Sequence, residues 1–232
     1  MELEKCIEDI QSQKEKPAAL LIYSDISAGF SAGANLRELY QAIAGSDKAS
    51  KKEELRGFLD RVHKAFNTID MFDFPTIGVI HGVCFGGGFE LALCCDVLIA
   101  EKTARFCFPE LRLGVIPGFG GIPRLRRDVG NSVIRDLLFT GRSLNAEKAM
   151  QIGLVQQVVK ENKGLGIAKR LVGQMQKYEK PVTAQAKRFI KFLPKEELEL
   201  EKEIFIQMFI ENDVEASLQK FVESDSLQPY LA

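Results

Sequence analysis

Between Ile80 and Gly121 the chain reads IHGVCFGGGFELALCCDVLIAEKTARFCFPELRLGVIPGFGG, and no other stretch limits the fold as much. TIGVIHGVCF, which leads into it, is apolar and rich in β-branched residues, the pattern of a buried strand. Gly86, Gly87 and Gly88 follow at once. FELALCC is then apolar nearly all round, as in a helix packed on every side. A strand that runs through glycines into a helix leaves the first helical N–H groups unpaired, and glycine lets another atom approach them closely. The local expectation is a site for an anion or an oxyanion. Glu90 lies one turn into the helix, between Phe89 and Leu91. An isolated carboxylate there is costly, so it has to be paired, protonated or functional. The theme repeats twenty positions on, where Glu110 follows Phe106, Cys107, Phe108 and Pro109, and Gly114, Gly118, Gly120 and Gly121 come after it.

The chain of 232 residues is long enough for one domain with a real core, and its 46% hydrophobic and 27% charged residues are those of an ordinary soluble protein. A net charge of −1 gives no reason to expect nucleic acid as a partner. No apolar run reaches the ~18 residues of a membrane span. Met1 leads into polar, helix-prone sequence without a signal-peptide pattern. The five cysteines include the adjacent pair Cys94 and Cys95 but no CxxC, so neither a disulfide framework nor a zinc site is expected. They read as small buried hydrophobes in a reducing, cytoplasmic setting. His63 and His81 are the only histidines, which weakens any metal-centred or Ser-His chemistry.

Residues 2–15 carry apolar positions at helical spacing, and Pro17 ends the run. AALLIYS reads as a strand, Asp25 to Gly33 as a loop, and ANLRELYQAI as a helix, so a second strand–loop–helix junction can present backbone N–H groups. After a polar linker from Gly45 to Lys52, Ser50 and Glu53 form a capping-box pattern. The helix they open is expected to bury Leu55, Phe58, Leu59, Val62, Phe66 and Ile69, with Lys51, Lys52, Glu53 and Glu54 on its solvated side. Residues 122–139 read as helical with a basic face of Arg124, Arg126 and Arg127. Asn145 can cap AEKAMQI, and LVQQVV is a short strand. From Gly164 onward the pattern is helical, divided by Pro181 and Pro194, with Ile204, Phe205, Met208, Phe209, Leu218 and Phe221 as core or subunit-interface positions. No fixed-period repeat stands out. The structural alternatives at the site are Glu90 paired with an arginine such as Arg105, Glu110 as a surface partner of Arg112, and His81 as a satisfied strand-end histidine.

With FSAGANL (Phe30 to Leu36), HGVCFGGGFELALCCD (His81 to Asp96), FPELRLGVIPGFGG (Phe108 to Gly121) and FTGRSLNAEKAMQIGLVQQVV (Phe139 to Val159) in the order and spacing found here, the chain resembles the crotonase, or enoyl-CoA hydratase/isomerase, superfamily from about Ala18 to about Lys191. The resemblance implies an α/β fold, a crotonase-like ββα spiral core over residues 1–180, and a helical C-terminal oligomerisation region over 181–232. It implies acyl-CoA thioester substrates, coenzyme A carried by the substrate with no further cofactor or metal, and a homotrimer or homohexamer. By motif position, the backbone N–H groups of Ala34 and Gly87 hold the thioester carbonyl, and Gly118 offers an N–H near the catalytic water. Ala32, Gly33, Gly86, Cys107 and Phe108 line the substrate. Cys107 stands where glycine is usual and, with Phe108, would narrow the acyl pocket. Asn35 replaces the usual Asp, and Ile122 and Pro123 the usual Thr-Gln. Paired strands and an Asn-Arg-Pro-like motif normally precede the first helix, so the N-terminal segment reads as shortened.

Hydratases of the superfamily carry two catalytic glutamates, and Glu90 and Glu110 occupy both positions. The chemistry needs a base to draw a proton from water and an acid to supply one to the α-carbon, and a close carboxyl pair can split its pKa values to do both. Glu90 is assigned to water and Glu110 to the α-carbon. The expected activity is hydration of a 2-enoyl-CoA to the 3-hydroxyacyl-CoA. The alternatives are 3-enoyl to 2-enoyl isomerisation by Glu110 alone, and a non-catalytic thioester-binding or assembly subunit.

Overall fold

The computed structural model describes residues 2–43, 45, 47–212 and 214–223. In chain order they form α1 (Glu2–Ser12), β1 (Leu20–Ile22), β2 (Gly29–Ser31), α2 (Leu36–Ile43), α3 (Lys48–Asp70), β3 (Thr76–Ile80), β4 (Val83–Phe85), α4 (Gly87–Ala92), β5 (Val97–Glu101) and β6 (Arg105–Cys107). A 3₁₀ turn (Glu110–Leu113) leads to α5 (Gly121–Val129), α6 (Asn131–Thr140), β7 (Leu144–Asn145), α7 (Ala146–Gln151) and β8 (Gln157–Val159). Then come α8 (Gly164–Met175), α9 (Lys180–Ile190), α10 (Lys195–Glu211) and α11 (Val214–Glu223).

Through β6, successive strands go to different sheets. Among the described residues one sheet has the order β1-β3-β5-β8, all parallel, and the other β2-β4-β6-β7, parallel except for its last pair. Each turn of chain up to β6 thus lays one strand on each sheet before a helix, which is the expected ββα spiral, and β7 and β8 extend the two sheets with α7 between them. TIGVIHGVCF is therefore two strands, not one. The chain leaves the first sheet after Ile80 and joins the second at Val83. Gly82 makes the step at φ +50°, and a Cβ there would lie 2.4 Å from Ala28 O. The register Ile80↔Ala100 on one side and Phe85↔Cys107 on the other brings the ends of β4 and β6 together. Phe89, Phe106 and Phe108 fill the space below them, with ring centroids 5.3 Å and 4.6 Å from Phe89.

Helix α3 buries Leu55, Leu59, Val62, Phe66 and Ile69 as expected, with Phe58 half-buried. Its cap differs. Asp47 accepts from Ala49 N and Ser50 N, and Ser50 Oγ donates to Asp47 Oδ2 at 2.7 Å, so the helix starts before the predicted box. Lys52, Glu53 and Glu54 are exposed, while Lys51 is half-buried and pairs with Glu215. The expected helix over 122–139 is two helices broken at Gly130 (φ +88°), and its basic face is not a face. Arg124 is wholly buried against Asp70, Arg127 reaches the same carboxylate at 3.1 Å, and Arg126 pairs with Glu197. The C-terminal helices do not stand apart from the spiral. Phe205, Ile206, Phe209, Val214 and Leu218 share a core with Leu55, Leu59, Leu113 and Val115. The side chain of Phe221 and residues 224–232 lie outside the described residues.

Candidate active site

Two loops meet where β2 and β4 end. After Ser31 the chain turns through Gly33 at φ +98°, and a Cβ on Gly33 would lie 2.9 Å from Gly87 N and 3.1 Å from Phe85 O. The second loop turns through Gly86 at φ +50° into α4. Gly87 opens α4, so its N–H has no carbonyl a turn earlier to bond. Ala34 N lies 3.5 Å from the point a Gly87 Cβ would occupy. The two expected backbone donors are neighbours, and glycine is what lets their loops close to this distance.

Glu90 is 1% exposed on the first turn of α4. Its Oε1 accepts from Phe119 N at 2.8 Å and Gly121 N at 2.9 Å. Burial pushes its pKa up to about 7, against the opposing pull of those two N–H groups and of Arg124. Glu110 opens the 3₁₀ turn after β6. Its Oε1 would be 2.7 Å from a Cβ on Gly86, so the Gly86 turn makes room for this carboxyl. Its Oε2 is buried and has no hydrogen-bond partner, alone among the described buried side-chain oxygens and nitrogens. Burial, and then the charge of Glu90, push the Glu110 pKa well above the usual carboxylate range. Among the described residues neither carboxylate forms an ion pair with an arginine. Arg105 donates to Ala104 O and Arg112 to Gly141 O.

Glu90, Glu110, Ala32, Ala34, Gly86, Gly87 and Gly118 all line one inner cavity of about 70 Å³, walled by Phe58, Phe119, Phe205 and Phe209. Gly33, Ala34 and Gly87 also line an outer groove of about 1170 Å³ that runs between α1, α2 and α3, and Phe119 stands between the two spaces. Cys107 and Phe108, expected on the acyl-pocket wall, line neither space. Cys107 Sγ turns to Gly141 O at 3.6 Å, and Phe108 is 1% exposed in the core against Phe89. Cys107 ends β6, and Phe108, just past it, turns under the sheet. His81 is satisfied at the strand end by Ile26 O at 3.0 Å. Among the described residues no cluster of three or more His, Cys, Asp or Glu side chains is placed to hold a metal ion.

Two residues escaped the sequence reading. His63 Nε2 donates to Gly118 O at 2.8 Å, and the N–H of that same peptide unit is the Phe119 donor to Glu90. Burial pulls the His63 pKa down, so the ring is neutral at pH 7. Glu201 of α10 is 4% exposed and accepts from Gly120 N at 2.6 Å and Ile122 N at 2.8 Å. Its signal was faint: it falls three positions after Leu198 and four before Phe205, on the apolar stripe of its helix.

Two neighbouring backbone N–H groups thus lie beside the Glu90 and Glu110 carboxyl groups at one cavity. The chain belongs to the enoyl-CoA hydratase/isomerase family, whose sequence profile matches residues 1–228. It is 38% identical over 137 residues to the short-chain-enoyl-CoA hydratase of Clostridium acetobutylicum, covering 57% of this chain and 52% of that one. It is 34% identical over 160 residues to the mitochondrial methylglutaconyl-CoA hydratase of Homo sapiens, covering 69% and 44%. The chain thus spans about half the length of these curated relatives. Among solved structures, the enoyl-CoA hydratase from Bacillus halodurans superposes with a TM-score of 0.83 at 24% identity over 94% of this chain and 87% of that one, which shows the crotonase fold. DspI of Pseudomonas aeruginosa superposes with a TM-score of 0.72 at 31% identity over 95% and 82%.

Proposed function

We propose that this chain is an enoyl-CoA hydratase, adding water to a 2-enoyl-CoA thioester to give the 3-hydroxyacyl-CoA. The observation that carries the reading is the sealed, unpartnered Oε2 of Glu110 in the cavity that Glu90 also lines. A buried polar atom without a partner is costly, and a substrate is what would satisfy it. The thioester oxygen accepts from Ala34 N–H and Gly87 N–H. Glu90, ionised, takes a proton from water as the hydroxyl adds to C3. Negative charge collects on the thioester oxygen, where preorganised donors are worth about 10²–10³ in rate each. Glu110, kept protonated by burial, gives its proton to C2. A proton passed from Glu90 to Glu110 resets the pair.

Coenzyme A enters with the substrate through the outer groove, and the chain's own groups supply the rest of the chemistry. The relatives named hydratases support this reading. We also propose a homotrimer or homohexamer, since Val182, Phe189, Ile190 and Phe192 are strongly exposed on and after α9. A reducing, cytoplasmic setting suits Cys84, Cys94 and Cys95, which sit in the core as free thiols. Among the described residues no helix is long and apolar enough to cross a membrane.

The test is crotonyl-CoA hydration, followed as loss of the conjugated enoyl-thioester absorbance. Glu90→Gln and Glu110→Gln should each lower kcat by about 10²–10⁴. Full turnover in both variants would overturn the reading. Retained 3-enoyl to 2-enoyl isomerisation in Glu90→Gln, with none in Glu110→Gln, would mark an isomerase instead.

A further inference from the structure

Four successive backbone N–H groups, from Phe119 to Ile122, are all taken by carboxylates, and they alternate. Phe119 and Gly121 donate to Glu90 Oε1, and Gly120 and Ile122 donate to Glu201 Oε2 and Oε1. The segment is the entry to α5, where the first N–H groups have no helical partner. Gly120 makes the turn at φ +95°, and a Cβ there would fall 2.5 Å from Leu198 of α10. We propose that Glu201 is a positioning residue of the active site: it fixes the backbone on which Glu90 rests and sets a second acidic group beside it. Glu201 lines neither the inner cavity nor the groove, so it acts through Glu90 and not on substrate.

Geometry explains how. The left-handed turn at Gly120, just before the first turn of α5, sends the N–H groups of 119 and 121 to Glu90 and those of 120 and 122 to Glu201. Holding 120 and 122 from one side therefore aims 119 and 121 at the other. Without Glu201, two buried donors lose their acceptors, and the turn relaxes away from the arrangement that converges on Glu90. The charged surroundings are few. Arg124 of α5 donates to Phe119 O and Gly120 O but is paired with Asp70 of α3. His63 of α3 is neutral and bonded to Gly118 O. Lys202 of α10 is engaged by Asp60 and Glu199, and Glu110 faces Glu90 from the 3₁₀ turn. The nearest positive charge is thus already partnered, and the charge of Glu90 raises the Glu201 pKa on top of the effect of burial.

The activity part of the test rests on the hydratase reading above. In Glu201→Gln the size is kept and the charge is lost. Gln offers one acceptor oxygen in place of two, so the turn relaxes and Glu90 loses part of the N–H support that holds its pKa down. The acid limb of the kcat/KM profile for crotonyl-CoA, near pH 7 in the parent, should then move up. At the same time kcat should fall about 10–100-fold, with KM little changed. A role in packing alone would lower stability and leave the limb where it was, and that outcome overturns the proposal. A direct titration separates this from a failure of the hydratase reading. With ¹³C-labelled glutamate, the Glu90 carboxyl midpoint should rise in Glu201→Gln whatever the substrate is. Should Glu201→Gln not fold, the same contact is read from Glu201, whose pKa the charge of Glu90 raises. The Glu201 midpoint should fall in Glu90→Gln, and an unmoved midpoint there overturns the proposal.

Discussion

Glu90 and Glu110 are the same side chain in the same cavity, and their surroundings give them different work. Glu90 has two backbone donors and Arg124 to favour its charge, and its pKa rises only to about 7. Glu110 Oε2 has no partner at all, and the charge of Glu90 adds to its burial. Glu110 therefore keeps its proton to higher pH than Glu90 does, as the proposed division between base and acid requires. The motifs made both residues legible as candidates, but the split came from hydrogen bonds reaching over 29 and 31 residues of chain. Gly86 shows how tightly the second carboxyl is seated. Gly86→Ala should leave the protein folded but displace Glu110 Oε1, which would sit 2.7 Å from the new Cβ. A shift of about 1 Å in a catalytic group can cost ~10²-fold, so hydration rates should drop by that order while the circular dichroism spectrum is retained.

At the scale of elements, local chemistry was the most readable part. The Leu55-to-Ile69 stripe of α3 and the Asn145 cap could be taken from spacing alone, and Asn145 does accept from Lys148 N at 2.8 Å. Asn145→Ala should lower stability by about 1 kcal/mol in urea unfolding, without changing kcat. Boundaries that depend on long-range packing were not readable. TIGVIHGVCF looks like one strand because both halves are apolar, and only the turn at Gly82, pressed against Ala28 O, assigns them to different sheets. The basic face predicted for 122–139 failed for a similar reason. Charges normally mark solvent, but the partners that bury Arg124 lie on α3, more than fifty residues upstream.

For the whole molecule, Asp70 is the joint. It receives Arg124 and Arg127 from α5 and Lys191, one residue past α9, at 2.8 Å, 3.1 Å and 2.8 Å, with no exposed side-chain surface of its own. Burial alone would raise its pKa, but Lys191, Arg124 and Arg127 together hold it below the ordinary value. Asp70→Asn leaves buried cations unpaired and should cost about 3–5 kcal/mol in urea unfolding. The sign with pH follows from the depressed pKa. The contribution is complete above the unfolded value of about 3.9 and is lost as pH falls through the folded one. Parent stability should therefore drop more steeply than that of Asp70→Asn below about pH 4.

Helical stripes, glycine turns and the two glutamates were determined by the sequence itself, because each depends on neighbours a few positions away. The family was legible for the same reason, in motifs that keep their internal spacing. The tertiary structure alone decided which sheet each strand joins and which arginines are buried. It also decided that Cys107 and Phe108 face the core and not the cavity, and that Glu201 and His63 hold the backbone under Glu90. Those outcomes turn on contacts between segments far apart in the chain, where partner and distance, not residue type, set the energy.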